Sequence, residues 1–555
     1  MIIFFVCIFA RLLYLMVFQS EYYGKRALEV QERERKIKAP RGKILDRNGK
    51  ILASNETVCT ISVIYSQMTD KEKVIRVLSE EMEIEEEILR KKVYKKSLRE
   101  KIKSNVPKEV GDRIRTKELP GVKVDEDYKR YYPYGSLASK VLGFTGGDNQ
   151  GIIGLEVQYD SYLKGNDGKI LTPTDSKGIE QEGALERRVE PVAGGNLVTS
   201  LDWNIQKYAQ QIADYAREAK EANYVTIIVM DVRNGEIYAM ANSPEFDLNH
   251  PYELPGYNHR KSGKKYQEML NKMWRNPCIN DTYEPGSTFK VVTATAALEE
   301  NLVNLKSRFF CPGYKIVDDR RIKCHKITGH GSESFLEGTM NSCNPVFIQV
   351  GLEVGTKRFY QYFQKLGLMK KTGIDLPGEA STIIHPIKKV GNVELATMSF
   401  GQSFQITPLQ YLVAASAIVN GGKLVTPHFA VQAKNDKGQL MEQFSYPEKE
   451  KVVSKKTSKT VRYMLEQVVA EGTGSKGKVE GFRVGGKTAT SQKLPRGSGK
   501  YIASYMGFAP ANDPKVIAMA IVDEPKGIYY GGQVAAPLIR TLYENILPYL
   551  LEEQK

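Results

Sequence analysis

The chain predicts an α+β protein whose main domain is built on an antiparallel sheet, and three observations carry that prediction. Two strongly apolar runs, VTIIVMDVRNGEIYAMAN at 225–242 and VIAMAIVDEP at 516–525, stand near the ends of a long second half. Between them lie amphipathic helical patterns such as KTVRYMLEQVVAEG at 459–472. Ahead of them VEPVAGGNLVTSLDWNIQ, at 189–206, passes from a glycine-rich loop into a strand and then a helix. Strands at both ends of a mostly helical middle suit an antiparallel sheet with helices packed on it, rather than alternating parallel units.

In chain order, the first element is MIIFFVCIFARLLYLMVF, apolar except for Arg11. It predicts one membrane-spanning helix over 1–19, because crossing the bilayer core takes about 20 apolar residues. No small-residue cleavage site follows, which argues against a signal peptide. The alternative is a buried soluble helix. Lys25 and Arg26 follow the span and nothing basic precedes it, the reverse of the positive-inside pattern for an outward-facing chain. A short cytoplasmic tail missing from this start site would explain that.

Residues 20–195 predict an elongated mixed domain. Turns at Pro40-Arg41-Gly42 and Arg47-Asn48-Gly49 flank short strand-like runs, and charged helical sequence fills about 70–115. RYYPYGSLASKVLGFTG at 130–146 and GLEVQYDSYLKGNDG at 154–168 follow. Residues 196–550 form the main domain. With 555 residues, 41% hydrophobic and 26% charged, the chain has the length for two or more domains with a large core. The net charge of +15 does not indicate nucleic acid, because its Lys and Arg alternate with acids, as in KEKVIRVLSEEMEIEEEILRKKVYKK, and no DNA- or RNA-binding motif is present. Such a surface suits anionic lipid and cell-wall polymers instead.

The candidate chemistry sits in EPGSTFK, 284–290. Ser287 follows a Pro-Gly turn and opens an apolar helix, and Lys290, three residues on, shares its helix face. Ser-x-x-Lys alone is weak, since Ser161, Ser262 and Ser475 also begin such a match. Ser287 differs in its context and in two later motifs, Ser342-Cys343-Asn344 and Lys487-Thr488-Ala489. A serine hydroxyl needs a base to become a nucleophile, and a lysine is a base only when neutral. Bringing a lysine from about 10.4 to near 7 takes roughly 4 to 5 kcal/mol. A second ammonium about 4 Å away supplies about 4 kcal/mol at an effective dielectric near 20. Lys487 is therefore expected to neutralise Lys290, with Ser342 relaying the proton and Asn344 fixing the lysine and binding substrate amide. Backbone N–H groups of Ser287 and Thr490 are the expected oxyanion donors, and the Thr488 and Thr490 hydroxyls the expected hold on a substrate carboxylate. The plain alternatives are a helix N-cap for Ser287, loop residues for Ser342 and Asn344, and a strand-edge lysine for Lys487.

These residues resemble those of class B penicillin-binding proteins. PRGKILDRNG, RYYPYG, GLEVQYD, SLDWNIQ, DTYEPGSTFK, SFGQSFQITPLQ and YYGGQVAAP extend the resemblance over nearly the whole chain. It implies a single-pass, membrane-anchored, extracytoplasmic D,D-transpeptidase, with a pedestal (dimerisation) domain at 20–195 and a transpeptidase domain of the serine β-lactamase fold at 196–550. It implies D-Ala-D-Ala stem peptides as substrate, an acyl-enzyme on Ser287, covalent inhibition by β-lactams, no cofactor for catalysis, and a polytopic membrane glycosyltransferase as partner. The sequence ahead of Pro40 shows no glycosyltransferase domain, which separates it from class A. A carboxypeptidase or β-lactamase-like hydrolase is the nearest alternative, and a non-catalytic scaffold or β-lactam sensor a further one. One departure is Ala489 where the family's third motif has glycine; its methyl is expected to narrow the cleft and change which β-lactams acylate Ser287.

Beyond Cys7, five cysteines remain, so they cannot all pair within the chain. Cys311 and Cys324 bracket a hairpin-like stretch, and His325 and His330 follow. With Cys278 as fourth ligand, Cys311, Cys324 and His330 could hold a structural zinc ion. His330 is favoured over His325 because adjacent strand residues face opposite ways. A Cys324–Cys343 or Cys311–Cys324 disulfide, or buried free thiols, are the competing readings.

Overall fold

A computed structural model describes residues 2–20, 22–23, 32–174, 187–257, 263–447 and 451–552. The second half is built around a five-stranded antiparallel sheet of β1 (Tyr224–Asp231), β2 (Ile237–Ser243), β3 (Gly485–Gln492), β4 (Tyr501–Ala509) and β5 (Val516–Asp523), in the spatial order β2-β1-β5-β4-β3. The two apolar runs are thus β1–β2 and β5, and they become neighbours: Ile227 lies opposite Ala520 and Val229 opposite Ala518.

The sheet is buried on both faces, which is why its strands are continuously apolar. Val225, Ile227, Val229, Ala518 and Ala520 face α1 (Trp203–Ala219) and the C-terminal helix Ala536–Glu552. Ile228, Met230, Ile517, Met519 and Ile521 face the larger core. That core includes α2 (Lys290–Glu299), α3 (Asn344–Lys365), α4 (Pro408–Val419) and α5 (Lys455–Ala470). α1 begins where Asp202 caps it, accepting from the Asn204 and Ile205 amides. α4 begins with a capping box between Thr407 and Gln410. The expected α+β architecture stands.

The first half contributes strands Ile44–Leu45, Ile51–Val63, Glu100–Pro107 and Val122–Tyr131 to a seven-stranded sheet. The remaining three strands, Asn196–Thr199, Ala430–Lys434 and Leu440–Gln443, come from beyond residue 195. Asn196–Thr199 pairs in parallel with Ile44–Leu45 and antiparallel with Ala430–Lys434.

Three of the motifs on which the resemblance rests meet inside this half. Arg41 of the Pro-Arg-Gly turn donates to Glu156 (2.5 Å) and Asp160 (2.7 Å), and Arg130 donates to the other Glu156 oxygen (2.6 Å). Tyr132 adds its hydroxyl at 3.2 Å. The Arg41 and Glu156 side chains are fully buried, so the Glu156 carboxylate, with the partly exposed Asp160 beside it, balances two guanidinium groups.

The N-terminal stretch departs from the expected single span. An α-helix covers Ile2–Leu13 and a π-helical turn covers Tyr14–Phe18. No helix among the described residues is long and apolar enough to cross a membrane. The regular helix stops after twelve residues, about 18 Å at 1.5 Å per residue. Its apolar side chains lack a protein face to bury them, and Phe4, Phe9 and Phe18 are exposed.

Candidate active site

The turn that carries Ser287 is held from three sides. Gly286 has φ +60° and donates its amide to the Gly401 carbonyl at 2.9 Å. Gly401, at φ +86°, approaches so closely that a Cβ there would lie 2.1 Å from the Gly286 carbonyl oxygen. Only two glycines fit that crossing. Thr288 donates its hydroxyl to the Pro285 carbonyl, and the Tyr411 hydroxyl donates to the Thr288 carbonyl, both at 2.8 Å. Phe289 packs into a cluster with Phe363 and Phe404. Residues 283–290 are buried except Ser287, which is half-exposed at the start of a short 3-10 turn running into α2.

The three expected motifs come together around one hydroxyl. Lys290 Nζ donates to the Ser342 carbonyl (2.7 Å), Ser342 Oγ (3.3 Å) and Asn344 Oδ1 (2.8 Å). Lys487 Nζ donates to the same Ser342 Oγ at 2.8 Å and to the Thr488 carbonyl at 3.1 Å. Ser342 adopts the left-handed region at φ +54°, and Asn344 opens α3 and donates to the Lys323 carbonyl. Both lysines are buried.

The electrostatics differ from the expectation. Burial is the main cause that lowers Lys290, to about 8, while Cys343, Cys324 and Glu333 pull the other way. Lys487 is held well below the ordinary lysine range, by burial first and by the charge of Lys290 second. Desolvation, rather than a second ammonium, therefore makes Lys290 a usable base, and Lys487 is the one lowered by its neighbour's charge.

The side chains of β3 divide between its two faces. Lys487, Ala489 and Ser491 point to the nucleophile side: a Cβ on Gly286 would lie 2.2 Å from Ser491 Oγ and 3.5 Å from Ala489 Cβ. The Ala489 methyl is 3% exposed and braces the turn from beneath, so the expectation that it narrows an open cleft is revised. Thr488 and Thr490 alternate with them along the strand. The Thr488 hydroxyl lies 3.4 Å from that of Thr473, and Thr490 Oγ1 accepts from the Gly531 amide at 2.9 Å. Among the described residues β3 is the last strand of the sheet, so its outer edge carries no further strand.

The Cys/His group stands against this site. Cys311, Cys324, His330 and Cys343 offer ligand atoms all within 4.8 Å of one another. Cys278 is not among them. It is fully buried elsewhere, its thiol 3.6 Å from Asn242 Oδ1 and pushed up to about 12 by burial. Cys343 takes its place because the loop between Ser342 and Asn344 folds onto the hairpin of Cys311 and Cys324. A hydrogen bond from the Cys343 thiol lowers Cys324 and raises Cys343. Three thiols and an imidazole are the donor set and spacing of a tetrahedral zinc site.

Comparison with known proteins agrees with this geometry. Residues 225–544 match the penicillin binding protein transpeptidase domain, and residues 36–199 match the penicillin-binding protein dimerisation domain. Stage V sporulation protein D of Bacillus subtilis is 40% identical, over 99% of this chain and 84% of its own. Probable peptidoglycan D,D-transpeptidase PenA of Neisseria gonorrhoeae is 30% identical, over 99% and 91%. Among solved structures, penicillin binding protein 2X from Streptococcus thermophilus shares the fold at TM-score 0.77 and 23% identity, covering 93% of this chain and 80% of that one. Penicillin binding protein 3 from Mycobacterium tuberculosis matches at TM-score 0.68 and 26% identity, covering 94% and 97%. With the motif residues gathered on one buried serine and both domain models matched in order, the chain belongs to the penicillin-binding protein transpeptidases.

Proposed function

We propose that the chain is a peptidoglycan D,D-transpeptidase acting through Ser287, with a pedestal at 20–195 and a catalytic domain at 196–550. The observation that carries this reading is the pair of buried lysine side chains on Ser342 Oγ, 3.3 Å from Lys290 and 2.8 Å from Lys487, next in the fold to a half-buried Ser287. In its neutral form Lys290 takes the Ser287 proton, and Oγ attacks the carbonyl between the two terminal D-alanines of a stem peptide. The negative oxygen meets the Ser287 and Thr490 amides. The proton passes by way of Ser342 to the leaving D-alanine nitrogen, and the C–N bond breaks. An amine of a second strand then attacks the Ser287 ester, giving up its proton as the new amide forms and Ser287 regains its own. The peptide lies along the open edge of β3, its carboxylate toward Thr488 and Thr490. A β-lactam ring enters the same path and stays as the acyl group. Labelling with a fluorescent penicillin tests this: the wild type takes label, Ser287→Ala takes none, and label on Ser287→Ala refutes it.

The exposed apolar residues of 2–18 support anchoring at a membrane. There the catalytic domain would work on the outer side beside a polytopic glycosyltransferase. Cys311, Cys324, His330 and Cys343 would hold zinc, which supplies a structural cross-link between the hairpin and the Ser342–Asn344 loop. Metal analysis of protein purified without a histidine tag should find one zinc per chain, and substoichiometric zinc would remove this part.

A further inference from the structure

Glu284 lies three residues before Ser287, only 9% exposed, and it touches neither lysine. One of its oxygens accepts from the Ser403 amide at 2.9 Å, and the other accepts from Arg496 at 2.5 Å. The stretch 283–286 runs beside 401–406. Tyr283 and Ile406 exchange backbone hydrogen bonds of 3.0 and 3.1 Å, and Gly286 bonds Gly401. Ser403 is itself held at φ +64°, with its hydroxyl 2.8 Å from that of Thr397. Glu284 therefore joins the nucleophile turn to a second strained segment.

Arg496 comes from the connection between β3 and β4, residues 493–500. Two other cations of that connection are tied elsewhere: Lys493 pairs with Asp523 and Glu524, and Lys500 with Glu524. Arg496 reaches the opposite way. It also donates to the Gln492 carbonyl at 2.6 Å, so its guanidinium spans from the end of β3 to Glu284. β3 brings Lys487 to Ser342, and the turn presents Ser287, so the Glu284–Arg496 pair fixes the two halves of the machinery relative to each other. A single buried carboxylate with two strong donors suits that task, because removing one donor leaves a desolvated charge.

We infer that Glu284 is a positioning residue of the reaction and Arg496 its clamp. Together they hold the turn of Ser287 in register with the strand of Lys487. The inference rests on Ser287 being the nucleophile. The Glu284 carboxylate is buried with its two oxygens taken up by the Ser403 amide and Arg496, so the pair acts through the turn.

The test uses the full chain and single-turnover acylation by a fluorescent penicillin, separating the affinity of the first complex from the acylation rate constant. Glu284→Gln and Arg496→Gln should each lower the rate constant about tenfold, with the first-complex affinity changed less than twofold. The double variant should be no slower than either single variant. Arg496→Lys should recover at least a third of the wild-type rate, and trypsin should cut Arg496→Gln at Lys493 or Lys500 faster than the wild type. Arg496 is partly exposed on a turn, so its variants fold even if Glu284→Gln does not. Wild-type rate constants in Arg496→Gln, or single losses that multiply in the double variant, would overturn the inference. A wild type that takes no label overturns the Ser287 reading, and this one with it.

Discussion

The most informative residue is Lys290, because in the proposed mechanism its protonation decides whether Ser287 can attack. With burial holding it at about 8, acylation should rise with pH along a limb centred near 8, measured as the rate constant for penicillin from pH 6 to 9.5. The linkage has a definite sign. The folded value lies below the unfolded one of about 10.4, so the folded state binds fewer protons between them, and stability gained from this group rises from pH 8 toward 10.4. Lys290→Met should flatten that rise in unfolding midpoints. Ala489→Gly removes a methyl from beneath the nucleophile turn. It should change the ratio of acylation rates between penicillins and cephalosporins, and unchanged ratios would show that the turn does not sense it. At this scale the meeting of Lys290, Ser342, Asn344 and Lys487 was legible because each motif packs its chemistry into a few adjacent positions. Glu284 and Arg496 were not, because nothing local marks residues 212 apart as partners. Cys343 was legible as a neighbour of Cys324, but as a disulfide partner rather than as the fourth member of the Cys/His group, because nothing local shows that the Ser342–Asn344 loop meets Cys311 and His330 as well.

At the scale of elements, the crossing of Gly286 and Gly401 decides where Ser287 sits. Gly401→Ala places a methyl 2.1 Å from a carbonyl oxygen at φ +86°. Strain of about 1–3 kcal/mol is expected from the dihedral alone. The unfolding midpoint should fall and acylation with it, read by thermal melts beside penicillin labelling. The cysteine hairpin gives a second contrast: Cys343→Ser should lower bound zinc well below that of the wild type, whereas Cys278→Ser should leave it unchanged, as metal analysis will report. The sheet strands could be read from continuous apolar runs, since burial on both faces leaves no polar alternation, and the amphipathic helices from apolar residues recurring every third or fourth position. The end of the first helix could not, because composition extends smoothly through Tyr14–Phe18 while the backbone changes to a π turn.

At the scale of the whole molecule, the buried Arg41–Glu156–Arg130 cluster explains why motifs over a hundred residues apart belong together. Glu156→Gln leaves two guanidinium groups with reduced compensation in a dry interior. A loss of about 3–5 kcal/mol is expected, measurable by denaturant unfolding of the chain. The division at 195/196 read from the sequence runs through the seven-stranded sheet, one side of which is supplied by 196–199, 430–434 and 440–443. Composition changes at that point, but hydrogen bonding does not respect it. A ribosome delivers residues 44–63 long before 430–443, so the growing chain must keep an unfinished ladder soluble until most of the polypeptide has emerged. Cutting the gene at codon 196 would likewise release a catalytic fragment with a raw strand border, prone to stick to its own copies.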